Sequence, residues 1–349
     1  MQNIFTKKPK EARRKMYADF LPYTILIMTT CTASLLTNIF VLILFASNPK
    51  LQTETSALTL NLNICDLILP LTAIPISIYN SLFNRTIFKE NTTICHLVAS
   101  FYVLLPLNSL HSLTWVTIDK FTEIRFPLHY TRLLTRQRTW LILCLLWIYC
   151  TLFAAFPFVG FGDYAYNENI NICLPTFSSS TKAYSVVLLS FGVILPLMTV
   201  GLLYIVIIHT AKRQAKRGTF VCNDNHCYYV PIKSHFRSTI VLVLSAVYPI
   251  VCWIPYTTIS FYQSVRGKEA PSLVEKISVC LVLLKTGLNP WLNVLIQKKY
   301  RKALCQRWKK CNQVCVCLKQ NPMPLPGGHP RSKVKDFLPG SSTQPSVHM

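Results

Sequence analysis

The sequence predicts an all-α membrane protein, a bundle of seven spanning helices. Three observations carry that expectation. Seven apolar stretches, at about 21–46, 57–80, 97–123, 139–160, 182–208, 238–262 and 273–296, each approach or exceed the roughly 20 residues a spanning helix needs. Charged residues make up 14% of the chain, against roughly 25% in a soluble domain. Strand alternation is absent from these stretches, which favours helices over a barrel.

In chain order, residues 1–20 form a polar tail expected outside the cell. The tail carries Lys7, Lys8, Lys10, Arg13, Arg14 and Lys15, which by themselves favour the cytosol. The apolar run that follows is longer than the core of a signal peptide and reads as the first span. Residues 21–297 hold the seven spans, with longer loops near 161–181 and 209–236. Between spans two and three, Asn84 and Asn91 open N-x-S/T sequons, which fit an outside loop. Residues 298–308 follow the last span, and 309–349, rich in Pro, Gly and Ser, read as a disordered tail.

The formal net charge of +23 invites a nucleic-acid reading, but the distribution argues against it. Arg125, Arg132, Arg136 and Arg138 follow span three; Lys212, Arg213, Lys216 and Arg217 follow span five; Lys298, Lys299, Arg301, Lys302, Arg307, Lys309 and Lys310 follow span seven. That is the positive-inside pattern, and it suits contact with anionic inner-leaflet lipid. The expected location is the cell membrane, with the N-terminus outside and the C-terminus in the cytosol.

Two ionisable residues lie deep inside spans: Asp66 in LTLNLNICDLILPL and Lys285 in VCLVLLKTGLNPWLNVLI. Charges in hydrocarbon are costly, so they face the bundle interior, pair, and mark function. Cys95 and Cys173 fall in outside loops, where thiols oxidise. Cys305, Cys311, Cys315 and Cys317 follow the last span on a basic segment that suits S-palmitoylation. Cys222, His226 and Cys227 fit no zinc spacing and lack a fourth ligand, so no metal or other cofactor is expected.

Over residues 22–308 the chain resembles the rhodopsin-like, class A family of G-protein-coupled receptors. The resemblance rests on Asn38 in span one, NLNICD with Asp66 and then Pro75 in span two, and Cys95 and IDKFTEIRFPLHY at the two ends of span three. Trp147 and Pro157 mark span four, Pro196 and Tyr204 span five, CWIP at 252–255 span six, and NPWLN at 289–293 span seven. It implies a non-enzymatic receptor coupling an outside ligand to a heterotrimeric G protein. It also implies a Cys95–Cys173 disulfide, a hinge at Trp253 and Pro255, and an amphipathic eighth helix in KKYRKAL. A ligand pocket is implied around Tyr102, Leu105, Pro106, Trp253, Tyr256 and Ser260. Tyr102 stands where amine receptors carry an aspartate, and the apolar lining suits a lipid, a peptide or a small apolar molecule.

Departures from the family pattern cluster on the signalling machinery. Asp119-Lys120-Phe121 replaces Asp-Arg-Tyr, and a lysine point charge does not reproduce arginine's flat fork. His235 and Arg237 stand where relatives often carry an acid in span six. After Asn289 and Pro290, Asn293 replaces the tyrosine that relatives use together with the residue matching Tyr204. Pro249 adds a second breaker in span six. Lys285 lies one helical turn before Asn289, beside the residues, Asp66, Ser109, Thr286 and Asn289, that match the family's sodium pocket. Its ammonium is expected to replace sodium and pair with Asp66, which must offset its desolvation.

Three alternative functions follow. Opsins attach retinal to a lysine two positions nearer the outside than Lys285. Leu283 fills that position here, and two residues rotate a helix by about 200°. A transporter would call for broken helices in symmetric halves, which the chain lacks. A receptor-fold protein that scavenges ligand, or partners another receptor without engaging G proteins, fits the signalling departures.

Overall fold

A computed structural model of the chain describes residues 2–82, 87–126, 129–178, 180–216, 220–223, 226–229, 233–296, 300 and 303–306. The first helix, α1, runs from Gln2 to Ala46, and its membrane-crossing part is Leu21–Ala46. The polar residues 2–20 thus extend the helix beyond its apolar run. Span two is broken: α2 covers Ser56–Leu71 and α3 covers Ala73–Leu82, with Thr72 non-helical between them at φ −116° and ψ −83°. Pro75 has no N–H to offer the carbonyl one turn before it, which accounts for an interruption at that level. After a short turn, α4 (Ile87–Glu90), α5 runs from Thr92 to Arg125.

Those 34 residues of α5 extend about 51 Å, well beyond the roughly 30 Å of hydrocarbon. One helix therefore carries Cys95 at one end, here labelled outer, and Asp119 near the other, labelled inner. It is also the central column, packing on α2, on α7 (Arg136–Ala155) and on α9 (Leu195–Lys216). A short turn, α6 (Tyr130–Leu133), joins α5 to α7. Span five starts as α8 (Lys182–Val187), passes through a π-helical segment, Leu188–Ile194, and continues as α9. Span six is α10 (Lys233–Arg266), and α11 (Ser272–Ile296) closes the bundle against α1 and α10.

Among the described residues, six helical segments are long and apolar enough to cross a membrane; α11, at 25 residues, is the seventh helix. The outward faces carry exposed apolar side chains, such as Leu36, Leu145, Ile148, Leu202, Ile205 and Val251. The interior instead holds Asn38, Asn61, Asn108, Ser109 and Asn289. This inversion of the soluble pattern suits a lipid solvent, in which polar groups serve as interhelical glue. Trp147 Nε1 donates to Asn61 Oδ1 at 2.9 Å, and Asn61 Nδ2 donates to Asn108 Oδ1 and Ser112 Oγ, both at 2.7 Å. Spans two, three and four are thereby joined at mid-depth.

Both long loops contain structure that the apolar pattern did not reveal. Strands β1 (Tyr164–Asn167) and β2 (Ile172–Pro175) form an antiparallel hairpin packed on α5. Tyr164 Oη donates to the Ala154 carbonyl at 2.9 Å and Tyr184 Oη to Phe153 at 3.2 Å, which satisfies carbonyls at the end of α7. In the second loop α9 reaches Lys216 and α10 begins at Lys233, with β3 (Phe220–Asn223) paired to β4 (His226–Tyr229) between them. After α11, Tyr300 and Ala303 pack on Val41, Leu44 and Leu51, so the chain past span seven lies against the inner end of α1. Residues 303–306 are helical; Leu304 ends the main unit, and Cys305, which opens the next, is exposed.

The Cys95–Cys173 disulfide is present, with Cα atoms 5.4 Å apart, and ties β2 to the top of α5 across 78 residues. Closing a loop of that length contributes roughly 4 kcal/mol in the chain-entropy picture. Cys173→Ser should lower the thermal midpoint of the detergent-solubilised protein by several degrees, and reductant should lower the wild type to the same value. A scanning thermal assay with and without dithiothreitol checks this.

Candidate functional site

The middle of the bundle holds a buried polar cluster. Asp66 and Lys285 are each 1% exposed, and Ser109 and Asn289 are fully buried. The Lys285 ammonium donates to Ser109 Oγ at 2.7 Å. Asn289 Nδ2 donates to Asp66 Oδ2 at 2.5 Å and, more loosely, to Ser109 Oγ at 3.4 Å. The Ser109 side chain is also hydrogen-bonded to Asp66. The direct Lys285–Asp66 ion pair expected from the sequence is not among the ion pairs within 4.0 Å that the described residues make. The two charges meet instead through Ser109, whose hydroxyl accepts from one and serves the other.

Neighbouring spans complete the cluster. Ser34 Oγ donates to the Asp66 backbone carbonyl at 3.3 Å and lies 2.9 Å from Thr286 Oγ1. Asn38 Nδ2 reaches the Thr286 carbonyl at 3.1 Å. From α10, the Tyr248 hydroxyl donates to Asn289 Oδ1. Sequence reasoning missed Ser34 and Tyr248. A serine or tyrosine in an apolar run gives no sign of the face it occupies.

At the inner end of α5, Lys120 Nζ lies 3.2 Å from Asp119 Oδ2 and 2.6 Å from Glu123 Oε2. Asp119 Oδ1 accepts from the Tyr130 hydroxyl at 2.7 Å, and that hydroxyl lies 3.4 Å from Thr55 Oγ1. One cation thus serves two carboxylates, while the loop between spans three and four fixes the nearer one. Sequence reasoning missed both Glu123 and Tyr130; the i+3 spacing from Lys120 is the signal that could have found Glu123, and none pointed to Tyr130. Phe121 is half-buried and packs with Ile124 against the Val200, Tyr204 and Ile207 cluster on α9. The Tyr204 hydroxyl has Thr117 and Ser245 as partners. Asn293 lies in α11, and its side chain falls outside the described residues, as do those of His235 and Arg237.

The outer half contains two chambers. The lower, of about 50 Å³, is apolar and lined by Tyr102, Pro106, Leu188, Trp253, Tyr256 and Leu283, among others. The upper, of about 520 Å³, opens under the β1–β2 hairpin and includes Ser260, Gln263 and Glu275. Tyr256, Leu174 and Val279 line both, so the two adjoin. Five of the six pocket residues expected from the sequence therefore line a chamber. The exception is Leu105, which is 2% exposed and packs in the core. It is one residue from Pro106 and, at about 100° per residue, points off the chamber.

An aromatic series runs down from the hairpin. The rings of Phe177 and Tyr256 are 6.1 Å apart, as are those of Tyr256 and Trp253, both edge-on. Such edge-to-face pairs are a favoured aromatic geometry. Trp253 sits two residues before Pro255 in α10, and Thr257 Oγ1 donates to the Trp253 and Ile254 carbonyls at 3.1 and 2.9 Å. The extra breaker, Pro249, lies inside the same helix.

Beyond the chambers, Asn91 is exposed at the start of α5, whereas Asn84 lies outside the described residues, as do Cys311, Cys315 and Cys317. The side chains of Cys222, His226 and Cys227 fall outside them too; no metal-ligating group of three or more is present among the described residues.

Comparison with known proteins agrees with this geometry. The family model for the 7 transmembrane receptor (rhodopsin family) matches residues 37–292. The chain is 26% identical over 284 residues to melanopsin-B of Gadus morhua, covering 77% of this chain and 45% of that protein. It is 26% identical over 287 residues to the GQ-coupled rhodopsin of Mizuhopecten yessoensis, covering 78% and 57%. With the histamine H2 receptor of Canis lupus familiaris it is 27% identical over 292 residues, covering 82% and 78%. The chain spans about half the length of the first two relatives. With the family match extending over most of its length, the chain belongs to the rhodopsin family of seven-transmembrane receptors.

Proposed function

We propose that this receptor binds an extracellular ligand in the two outer chambers and relays it to a heterotrimeric G protein, with Lys285 acting as a built-in cation in place of sodium. The observation that carries the reading is the Lys285 ammonium, buried and bonded at 2.7 Å to Ser109 inside the cluster organised by Asp66. A tethered ammonium there neutralises the aspartate without drawing on the medium. The N-terminus lies outside and the C-terminus in the cytosol, a reading supported by the basic residues after spans three, five and seven.

Signal transfer follows the aromatic series. A ligand that displaces Tyr256 shifts Trp253 and with it the proline hinge of α10. Movement of α10 also loads the Tyr248–Asn289 contact, and so the central cluster. Sequence likeness to opsins raises light sensing as a competitor. Leu283 lines the lower chamber, and Lys285 turns away from it toward Ser109, so the described lining of that chamber offers retinal no amine to condense with. The double hold of Glu123 and Asp119 on Lys120 favours, as a second reading, a receptor whose cytosolic face is stalled and which binds ligand without signalling.

Three outcomes test these readings. Basal G-protein activation by wild-type membranes should be the same in sodium and in a sodium-free choline buffer. Lys285→Ser should acquire a sodium effect of about fivefold, the low end of ordinary coupling between sites. Wild-type sodium sensitivity that disappears in Asp66→Asn would sink the built-in cation. Glu123→Gln, which frees one hold on Lys120, should raise basal activation severalfold, and Lys120→Arg with Asn293→Tyr should raise it further. Silence of all these variants in a cell-based G-protein assay selects the non-signalling reading. Incubation of the purified protein with retinal should give no new visible absorbance band and no borohydride-trapped adduct.

A further inference from the structure

The upper chamber contains a carboxylate whose environment the receptor reading does not use. Glu275, in the first turn of α11, is 6% exposed. Its Oε1 accepts from Gln263 Nε2 at 2.5 Å, and its Oε2 from Asn169 Nδ2 at 3.3 Å and Asn167 Nδ2 at 3.5 Å. Span six, the hairpin and span seven thus converge on one acid, and every donor is a neutral amide. Among the described residues, the ion pairs within 4.0 Å belong to Lys89 and Lys120; Glu275 has none. A carboxylate withdrawn from water and given only neutral donors retains much of its desolvation cost.

The chamber around it has room for a partner, at about 520 Å³, and carries Glu168, Glu269 and Glu275 against the single ammonium of Lys268. Glu168 is already held by Lys89 at 2.5 Å, but among the described residues no cation lies within 4.0 Å of the Glu275 carboxylate. Below lies the lower chamber, too narrow at about 50 Å³ for more than a small apolar group. The bulk of a ligand therefore sits in the polar, acid-biased space, and only its tip reaches Trp253.

Building on the ligand-binding reading above, we propose that Glu275 is the counter-charge for a ligand's organic cation, a guanidinium or ammonium carried on a compact polar body with a small apolar end. A charged donor displaces the two long amide contacts of Asn167 and Asn169 first. The Gln263 bond, the short one, keeps the carboxylate aimed into the chamber. Tyr102, the position from which amine receptors read their ligands, lines the lower chamber and not the upper one, so the absent aspartate there does not bear on Glu275. Arrival of the cation pulls the hairpin, α10 and α11 toward one point, directly above Tyr256.

The test uses the full-length protein in nanodiscs and two probes, acetyl-arginyl-leucine amide and its citrulline counterpart, which replaces the guanidinium by a neutral urea of the same shape. Binding is read by thermal stabilisation at millimolar concentration. The arginine probe should stabilise the wild type at a concentration about tenfold lower than the citrulline probe, the scale of one charge-assisted hydrogen bond. Glu275→Gln should remove that difference, Glu275→Asp should reduce it, and Glu269→Gln at the rim should leave it in place. Equal effects of the two probes on the wild type, no effect of either, or a difference that survives in Glu275→Gln would overturn the proposal and leave Glu275 as a structural tie between loops. If Glu275→Gln fails to reach the membrane, the wild-type comparison and Glu275→Asp still decide. Charge discrimination with no G-protein activation would instead count against the signalling reading alone.

Discussion

The structure depends on one buried carboxylate. Asp66 is 1% exposed, so its polar groups are answered by side chains, and four other spans take part in the cluster around it. Asn289 comes from span seven, Ser109 from span three and Ser34 from span one, while Tyr248 joins from span six through Asn289. Lipid gives helices little hydrophobic reason to associate, so a hub of this kind does what an oily core does in water. It also fixes rotation. A helix turned by one residue would present leucine to the hub instead of a donor. On the proposed reading, a lysine in such a hub stands in for a mobile ion, and the serine between the two charges gives each a partner without close approach.

Three stations along the bundle share moving parts. At the top, the disulfide-anchored hairpin touches Tyr256 through Phe177 and Glu275 through Asn167 and Asn169. In the middle, α10 carries both Trp253, beneath the chambers, and Tyr248, in the hub. At the bottom, Tyr204 meets Ser245 on that same helix, close to the column that ends in Asp119 and Lys120. Every station thus has a residue on α10, the helix with two internal prolines. A proline removes one rung of the hydrogen-bond ladder, so this helix has two weakened points where α5 and α11 have one each.

Much of this was legible from sequence, and the failures have physical causes. The spans, the family and the disulfide partners could be read because lipid demands long apolar runs and because cysteines and prolines recur at set places in the family. Lys285 stood out because one charge in an apolar run has few explanations. Its partner did not, since reach across a bundle depends on helix rotation and not on spacing. Glu275 was overlooked because an acid in a helix's first turn already has a bland reading as a partner for the macrodipole. Leu105 was assigned to the pocket through the family resemblance, and a single residue of rotation from Pro106 carries it into the core. The hairpin between β1 and β2 is short and mixed in polarity, so nothing in its composition separated it from a plain loop.

The π segment at Leu188–Ile194 has a geometric consequence for everything below it. Its loosened carbonyls find side-chain donors in Tyr149, which bonds Phe191 at 3.0 Å, and in His111 at Gly192. A wide turn absorbs one additional residue, so the helix beyond it is wound out of phase with the helix above by about 100°. That offset decides which side chains of span five look inward. Val200, Tyr204 and Ile207 face the bundle, while Leu202 and Ile205 face lipid. Had the same letters been threaded as an unbroken α-helix, the azimuth of Tyr204 would have swung toward the acyl chains. A local irregularity near the outer surface thereby sets the orientation of a tyrosine several turns deeper.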